Sequence, residues 1–291
     1  MIIKLRPIPL SKVWGGGNLS KMYKLPQSNI GEVWGISAHK SKSSLIVGGP
    51  YKDMALRELF INHKKYFGFY PGDEFPLLIK LIDAKEDLSI QVHPNDQYAL
   101  IHENTFGKDE CWYIIDADKD SKIQIGHSAK NKKEMRKAIL NNTLESILNY
   151  HTISANDFYY IPSGKVHAIC KNTTILEVSQ SSDVTYRLYD YNRLDNGKLR
   201  VLHVDKALDV ISFPDTEIEK ADSNKYFTFK VIEVTRQMIL SHKYGDYLYV
   251  IEGNGVVDDE NISQGDFFIV SSNCKYLLQG KIKIALIRIT F

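Results

Sequence analysis

The sequence predicts a mainly β protein built from two tandem β-barrels, with a few helices inserted in its N-terminal part. Aromatic residues make up 11% of the chain and include seventeen tyrosines, a composition that favours strands. Short apolar runs cut by glycines fill residues 1–50, and alternating runs resume from 226 to the end. The segment NDFYYIPSGKVH at 156–167 is weakly similar to QGDFFIVSSNCKY at 264–276. Two related barrels in tandem would produce such an internal repeat.

Helices are predicted where apolar residues recur at helical spacing or where a capping residue precedes such a stretch. Asp53 and Asn95 are the expected caps of the first two helices, and the third stretch is divided near Asn141–Asn142. This third stretch is the helical insertion. The predicted helices cover residues 53–66, 95–103, 129–150 (as two short helices) and 203–210.

Strands are predicted over most of the remaining chain, and a polar linker between them sets the expected domain boundary. Residues 192–200 form a polar turn, and residues 212–225 form a polar linker containing Pro214. We therefore expect a catalytic domain over 1–215 and a small β domain over 222–291. The predicted strands cover 76–93 (two strands around a turn), 110–126, 158–161, 174–179 and several runs after 226.

Composition excludes several functions. Thirty-seven basic and thirty-five acidic residues leave a net charge of +2, which does not indicate a nucleic-acid or membrane-surface partner. Three distant cysteines, with no CxxC pair, support neither a disulfide framework nor a cysteine zinc site. No run approaches eighteen apolar residues, so no membrane span is expected. A cytoplasmic location and a monomer or weak homodimer are the resulting predictions.

Four residues with ligand chemistry can converge inside the larger barrel. Gln91 and His93 point to the same face of a strand, because side chains alternate with period two. Glu110 begins a second strand, and His167 follows the turn PSGKV into a third. Two nitrogens and two oxygens suit zinc, manganese, iron or nickel.

The stretch around His167 is the most specific of these. From Asn156 the order is a turn residue, five residues, Pro162, four residues and His167, which resembles the second cupin motif G(X)5P(X)4H(X)3N. Asn tolerates the left-handed backbone that the first glycine of the motif adopts. Lys171 stands where the motif has its final Asn.

With the cupin motif in place, most of residues 1–210 is similar to the type I mannose-6-phosphate isomerases in their shorter bacterial form. The matching segments are WGG at 14–16, GEVWGIS at 31–37, PLLIKLIDAKEDLSIQVHPND at 76–96, GKDECWYII at 107–115, FYYIPSGKVHAI at 158–169 and ILEVSQSSDVTYRLYDY at 175–191. The resemblance implies a cupin (jelly-roll) fold and interconversion of mannose 6-phosphate and fructose 6-phosphate through an enediol. It implies one zinc ion per chain, held by Gln91, His93, Glu110 and His167.

The same resemblance implies roles for further residues. Arg187, in the aromatic run VTYRLYDY, is the expected cation beside the developing enediolate, and Lys108 is the other leading catalytic candidate. Glu177 and Asp183 are alternative bases, or they orient Arg187. Lys80 and Ser89 lie where the family grips the substrate phosphate, a role that charge-assisted hydrogen bonds suit.

The C-terminal barrel is expected to bind no metal. Counting the motif from Gly265 places Ser271 at the proline position and Tyr276 at the histidine position. Two rival functions use the same fold: an iron-dependent cupin dioxygenase, with His, Glu and His as a facial triad, and a non-catalytic sugar-binding cupin.

Overall fold

A computed structural model describes residues 1–215 and 223–290 of the chain. The chain divides into two compact units, each discontinuous in sequence. The first unit comprises 1–9, 33–80 and 221–291, and the second comprises 10–32 and 81–220. The predicted boundary between residues 215 and 222 falls on residues outside those described, and the division into domains 1–215 and 222–291 stays a prediction.

Strands are the main regular element of the described residues, as the sequence predicts. They are β1 Ile2–Arg6, β2 Ile8–Gly16, β3 Ile30–Ser37, β4 Leu45–Ile46, β5 Leu77–Ala84, β6 Ile90–Val92, β7 Glu110–Ala117, β8 Lys122–His127, β9 Leu148–Thr152, β10 Phe158–Ile161, β11 His167–Ile169, β12 Thr173–Gln180, β13 Tyr186–Tyr189, β14 Leu194–Asp195, β15 Lys198–Leu199, β16 Phe227–Val234, β17 Gln237–Leu240, β18 Asp246–Val257, β19 Glu260–Ser263, β20 Phe267–Val270 and β21 Tyr276–Ile289.

The helices are few and short. The α-helices are α1 Asn18–Met22, α2 Leu56–Asn62, α3 Asp96–Glu103, α4 Lys132–Leu140 and α5 Val204–Val210, and short 3-10 turns cover Gly49–Tyr51, Lys64–Phe67 and Leu144–Ile147. Asn95 caps α3 as predicted, because its side chain accepts a hydrogen bond from the Tyr98 amide. Among the described residues, no helix has the length and apolar character needed to cross a bilayer.

Two helix predictions are wrong in detail. Asp53 does not cap α2: it adopts a positive φ and binds Arg6, and the helix begins after Ala55. The second helix expected within 129–150 is a single 3-10 turn, and Leu148–Thr152 is strand β9 instead. Pairing of β9 with β8 supplies backbone hydrogen bonds that outweigh the local helix propensity.

The first unit contains an eight-stranded sheet. Its main path is β16-β21-β18-β20-β1-β4, with β17 added beside β21 and β19 beside β18. The N-terminal strand enters this sheet antiparallel to β20, with Ile3 opposite Ile269. The core of this unit includes Leu248 of β18, Phe268 of β20, and Tyr276 and Leu286 of β21.

Two further sheets form a sandwich. One has the order β10-β7-β12-β5-β2-β3, and the other has the order β13-β6-β11-β8-β9. Trp112 and Ile161 of the first sheet share one buried cluster with Ile125 and Ile169 of the second, so the two sheets pack face to face. A separate cluster joins the second sheet to α4 and α5, which cover its outer face.

Candidate metal centre

Three candidate ligands lie at strand ends and meet between the two sheets of the sandwich. His93 directly follows β6 and His167 begins β11, on one sheet, whereas Glu110 begins β7 on the other. One donor atom from each residue lies within 4.8 Å of the other two. All three side chains are fully buried. The predicted convergence of these three groups on one centre is therefore present in the fold.

Backbone carbonyls fix the orientation of both imidazole rings. His93 Nδ1 lies 2.8 Å from the Val184 carbonyl, and His167 Nδ1 lies 2.9 Å from the Lys165 carbonyl. A carbonyl can only accept, so each Nδ1 donates its proton and each Nε2 presents a lone pair. The two Nε2 atoms lie 3.2 Å apart, and Glu110 oxygens lie 3.4 Å from one and 3.5 Å from the other.

Burial keeps both rings neutral, and the neighbouring groups keep the carboxylate charged despite burial. Burial, aided by the nearby Lys108 ammonium, lowers the pKa of His93 to about 4, and burial also lowers the pKa of His167. Burial alone would raise the pKa of Glu110, but Lys108 and the two imidazoles hold it well below its ordinary value. Two facing lone pairs beside a carboxylate repel one another unless a cation lies between them. This donor set therefore fits zinc or another divalent transition metal.

Gln91 lies beside the same centre. It pairs with His167 across β6 and β11, and its Nε2 atom is 3.3 Å from His167 Nε2. Its Oε1 atom accepts a 3.1 Å hydrogen bond from the Ser89 hydroxyl. A hydroxyl can also accept, so turning the amide over keeps the Ser89 contact and presents Oε1 to the centre. Gln91 can thus supply a fourth donor.

Lys108 and Glu177 form a buried ion pair next to these donors. Lys108 Nζ lies 3.0 Å from Glu177 Oε1, contacts Glu110 Oε2, and lies 3.3 Å from His93 Nε2. Both side chains are at most 4% exposed. The ammonium therefore links one candidate ligand to a second carboxylate inside the sandwich.

Arg187 occupies the same row of side chains as Gln91 and His167. It pairs with Gln91 across β13 and β6, and directly opposed residues present their side chains on the same face. Its Nε atom is buried and has no hydrogen-bond partner among residues 1–215 and 223–290. Burial lowers the pKa of the guanidinium. An unsatisfied buried donor on this face is suited to a negatively charged substrate.

The remaining predicted residues are placed as follows. Ser89 is buried two positions before Gln91, on the same face of the chain. Lys80 is buried in β5, all eight of whose residues are buried. Asp183 is exposed, in contrast to Glu177. No described contact tests the phosphate-binding role of Lys80 and Ser89, which stays a prediction.

Several supporting residues were not anticipated from the sequence. Trp112 Nε1 donates a 3.0 Å hydrogen bond to Glu110 Oε1, and the two residues share a face because they are two positions apart on β7. That spacing could have identified Trp112. Asp109 accepts from the Tyr160 hydroxyl and from the Ser163 amide, and so fixes the start of β7. These partners lie more than fifty positions away, so no local pattern predicts the contact.

The curled antiparallel sheets and the His–Glu–His cluster at their strand ends define a mainly β cupin protein. The catalytic-domain model of type I phosphomannose isomerase matches residues 2–119. ManA, a mannose-6-phosphate isomerase of Bacillus subtilis, is 47% identical over 212 residues, which is 72% of this chain and 67% of ManA. GmuF of the same organism, named a probable mannose-6-phosphate isomerase, is 42% identical over 250 residues, 84% of this chain and 77% of GmuF.

Solved structures agree with these relatives. The crystal structure of mannose 6-phosphate isomerase from Bacillus subtilis superposes with a TM-score of 0.95 at 36% identity, covering 99% of each chain. The chain therefore belongs to the type I phosphomannose isomerase family. The predicted mainly β cupin fold and the family resemblance are both confirmed.

Proposed function

We propose that this protein is a metal-dependent aldose–ketose isomerase that interconverts mannose 6-phosphate and fructose 6-phosphate. His93, Glu110 and His167 would hold one zinc ion, with Gln91 as a fourth ligand. The observation that carries this proposal is the pair of Nε2 atoms, 3.2 Å apart and both oriented by backbone carbonyls, in a chain of this family.

The reaction moves a proton between carbons 1 and 2 of the sugar through an enediol. A bound divalent metal would supply polarisation of the oxygens on these two carbons. The chain must then supply a group that takes and returns the proton, a cation that stabilises the enediolate, and groups that bind the phosphate.

We assign the proton transfer to Lys108 and Glu177. Glu177, the carboxylate of the pair, would take the proton from one carbon, and the Lys108 ammonium would deliver a proton to the neighbouring carbon. Their reacting atoms lie 3.0 Å apart, so the proton on Glu177 can then pass to the Lys108 amine and restore the pair. Both are buried, which keeps bulk water from exchanging the proton. Asp183 is exposed, so water would compete with it, and we assign it no proton-transfer step.

Arg187 and Ser89 would act on the two ends of the substrate. The buried Nε of Arg187 can donate to the enediolate oxygen as negative charge develops there. Ser89 donates to Gln91 in the present amide orientation. If Gln91 turns its oxygen to the metal, its Nε2 donates to Ser89 Oγ instead. The Ser89 proton is then available for the substrate phosphate, alongside Lys80.

A coupled assay with mannose 6-phosphate tests the proposal. Turnover should disappear with a chelator and return with zinc, and His167→Ala should lose metal and turnover together. His102→Ala is the matched control, since His102 is exposed and stacks on Tyr98, and it should retain both. Turnover that is unaffected by chelator, or a His167→Ala protein with full zinc, would overturn the ligand assignment.

The same preparation separates the rival functions. An iron-dependent dioxygenase would consume oxygen, and a sugar-binding cupin would bind mannose 6-phosphate without turnover. The cytoplasmic location and the monomeric or weakly dimeric state stay predictions.

A further inference from the structure

In the eight-stranded sheet, the residue at the histidine position of the predicted C-terminal cupin motif belongs to a charged network. Tyr276, at the motif histidine position, is 2% exposed and donates a 2.6 Å hydrogen bond to Asp246 Oδ2. Arg288 grips the same carboxylate, with Nε 2.7 Å from Oδ1 and Nη2 3.3 Å from Oδ2. Both oxygens of the Asp246 carboxylate therefore accept hydrogen bonds from these two residues.

Arg288 of this network also lines a cavity, which we call the C-terminal pocket. The pocket has a volume of about 270 Å³. Its lining includes Thr228, Lys230, His242, Leu286, Arg288 and Thr290. Drug-sized ligands occupy about 300–1,000 Å³, so this volume suits a smaller ligand.

Strand register explains why the polar groups of the pocket point the same way. Thr228 of β16 lies opposite Arg288 of β21, and Lys230 lies opposite Leu286. These four residues therefore share one face of the sheet. Leu286 also belongs to the core of this unit, so the pocket continues the apolar interior of the barrel to its surface.

The pocket carries positive charge and free donors, with no acidic residue in its lining. Asp246 neutralises Arg288, but Arg288 Nη1 has no partner within the described residues 1–215 and 223–290. The Lys230 ammonium has no acidic partner within the same ranges, and Thr228 adds a hydroxyl. A guanidinium nitrogen fixed by a buried carboxylate, beside an ammonium and a hydroxyl, is the chemistry that binds phosphate.

We propose that the C-terminal pocket binds a phosphate group, either as inorganic phosphate or as the phosphate of a small phosphorylated metabolite. The pocket thus serves as an anion site separate from the His93–Glu110–His167 centre. The proposal does not depend on the activity assigned to that centre.

Histidine-ring NMR signals during titration with inorganic phosphate test this site directly. His242 lines the pocket, and its ring signal can be assigned by its loss in His242→Gln. Phosphate should move the His242 signal in the wild type, and Lys230→Glu should weaken that response about tenfold or more by reversing one charge. Lys281→Glu is the matched control: Lys281 is exposed on the same strand as Arg288 but lies outside the pocket, so its response should stay within about twofold of the wild type.

Sugar phosphates distinguish the two sources of the phosphate group. A sugar phosphate that moves the His242 signal at a much lower concentration than inorganic phosphate would identify a metabolite as the ligand. If the sugar phosphate and inorganic phosphate move the His242 signal at equal concentrations, inorganic phosphate is the ligand. A His242 signal that stays still while phosphate inhibits turnover would overturn the proposal, as would equal responses from Lys230→Glu and Lys281→Glu.

Discussion

Replacing Lys108 by methionine tests the charge balance inside the sandwich. Methionine is similar in length but uncharged, so the substitution leaves Glu110 and Glu177 buried without the ammonium that lies between them. Removing one partner of a buried ion pair costs about 3–5 kcal/mol. An unfolding entropy of about 2.1 cal/mol/K per residue gives about 0.6 kcal/mol/K for 291 residues, so each kcal/mol lowers the melting temperature by about 1.6 °C. The loss in chelator should therefore be about 5–8 °C.

Bound zinc should recover part of this loss, because its positive charge also compensates Glu110. By the thermodynamic cycle, whatever stability zinc recovers must reappear as tighter zinc binding. Each 1.4 kcal/mol or so recovered corresponds to about a tenfold gain in affinity. We therefore expect Lys108→Met to melt lower in chelator, to bind zinc about tenfold more tightly, and to lose turnover.

Calorimetric melting with chelator and with zinc, together with zinc competition against a chromogenic chelator, measures both quantities. Lys85→Met is the control for loss of a lysine charge, since Lys85 is exposed, and its melting temperature should match the wild type. If Lys108→Met melts with the wild type in chelator, or binds zinc more weakly, the charge-balance reasoning is wrong.

Three further predictions concern single residues of the same centre. Burial lowers the pKa of His93 to about 4, so between about pH 6.5 and about pH 4 the unfolded chain takes up a proton that the folded chain does not. His93 should contribute a fall of roughly 3 kcal/mol in the free energy of unfolding in chelator as the pH decreases through that window. His93→Gln should remove this contribution and leave that of His167, whose pKa burial also lowers. Gln91→Ala should weaken zinc binding about tenfold or more in a competition titration, whereas an unchanged affinity would exclude Gln91 as a ligand. Arg187→Ala should lower kcat about a hundredfold to a thousandfold with zinc content intact, and a normal kcat would remove Arg187 from the reaction.

The candidate ligands could be located from sequence because each is tied to a local pattern. Pro162 and Gly164 mark the turn before His167, and Gln91-x-His93 uses the period of a strand. Such patterns predict which residues lie on the same face of a strand. They also predicted the strand pair within 76–93 and the Asn95 cap, since a cap and the helix it starts are adjacent in the chain.

The contacts that complete the centre join distant parts of the chain, and no local pattern contains them. The Val184 carbonyl that orients His93 is 91 positions away, and the Lys108–Glu177 pair links the start of β7 to β12. Strand β9 was missed for the same reason, because its pairing with β8 lies outside the segment whose composition favours helix. These contacts form only when the two sheets of the sandwich pack together.

The spacing of the three donors has a consequence for synthesis in the cell. His93 and His167 are 74 positions apart, and ribosomes add about 5–20 residues each second, so roughly 4–15 seconds separate their emergence. During that interval a nascent chain has at most two of the three donors and no closed sandwich around them. Capture of the proposed metal would therefore follow translation of most of the second unit, and we expect a truncated chain ending before residue 167 to leave the ribosome without it.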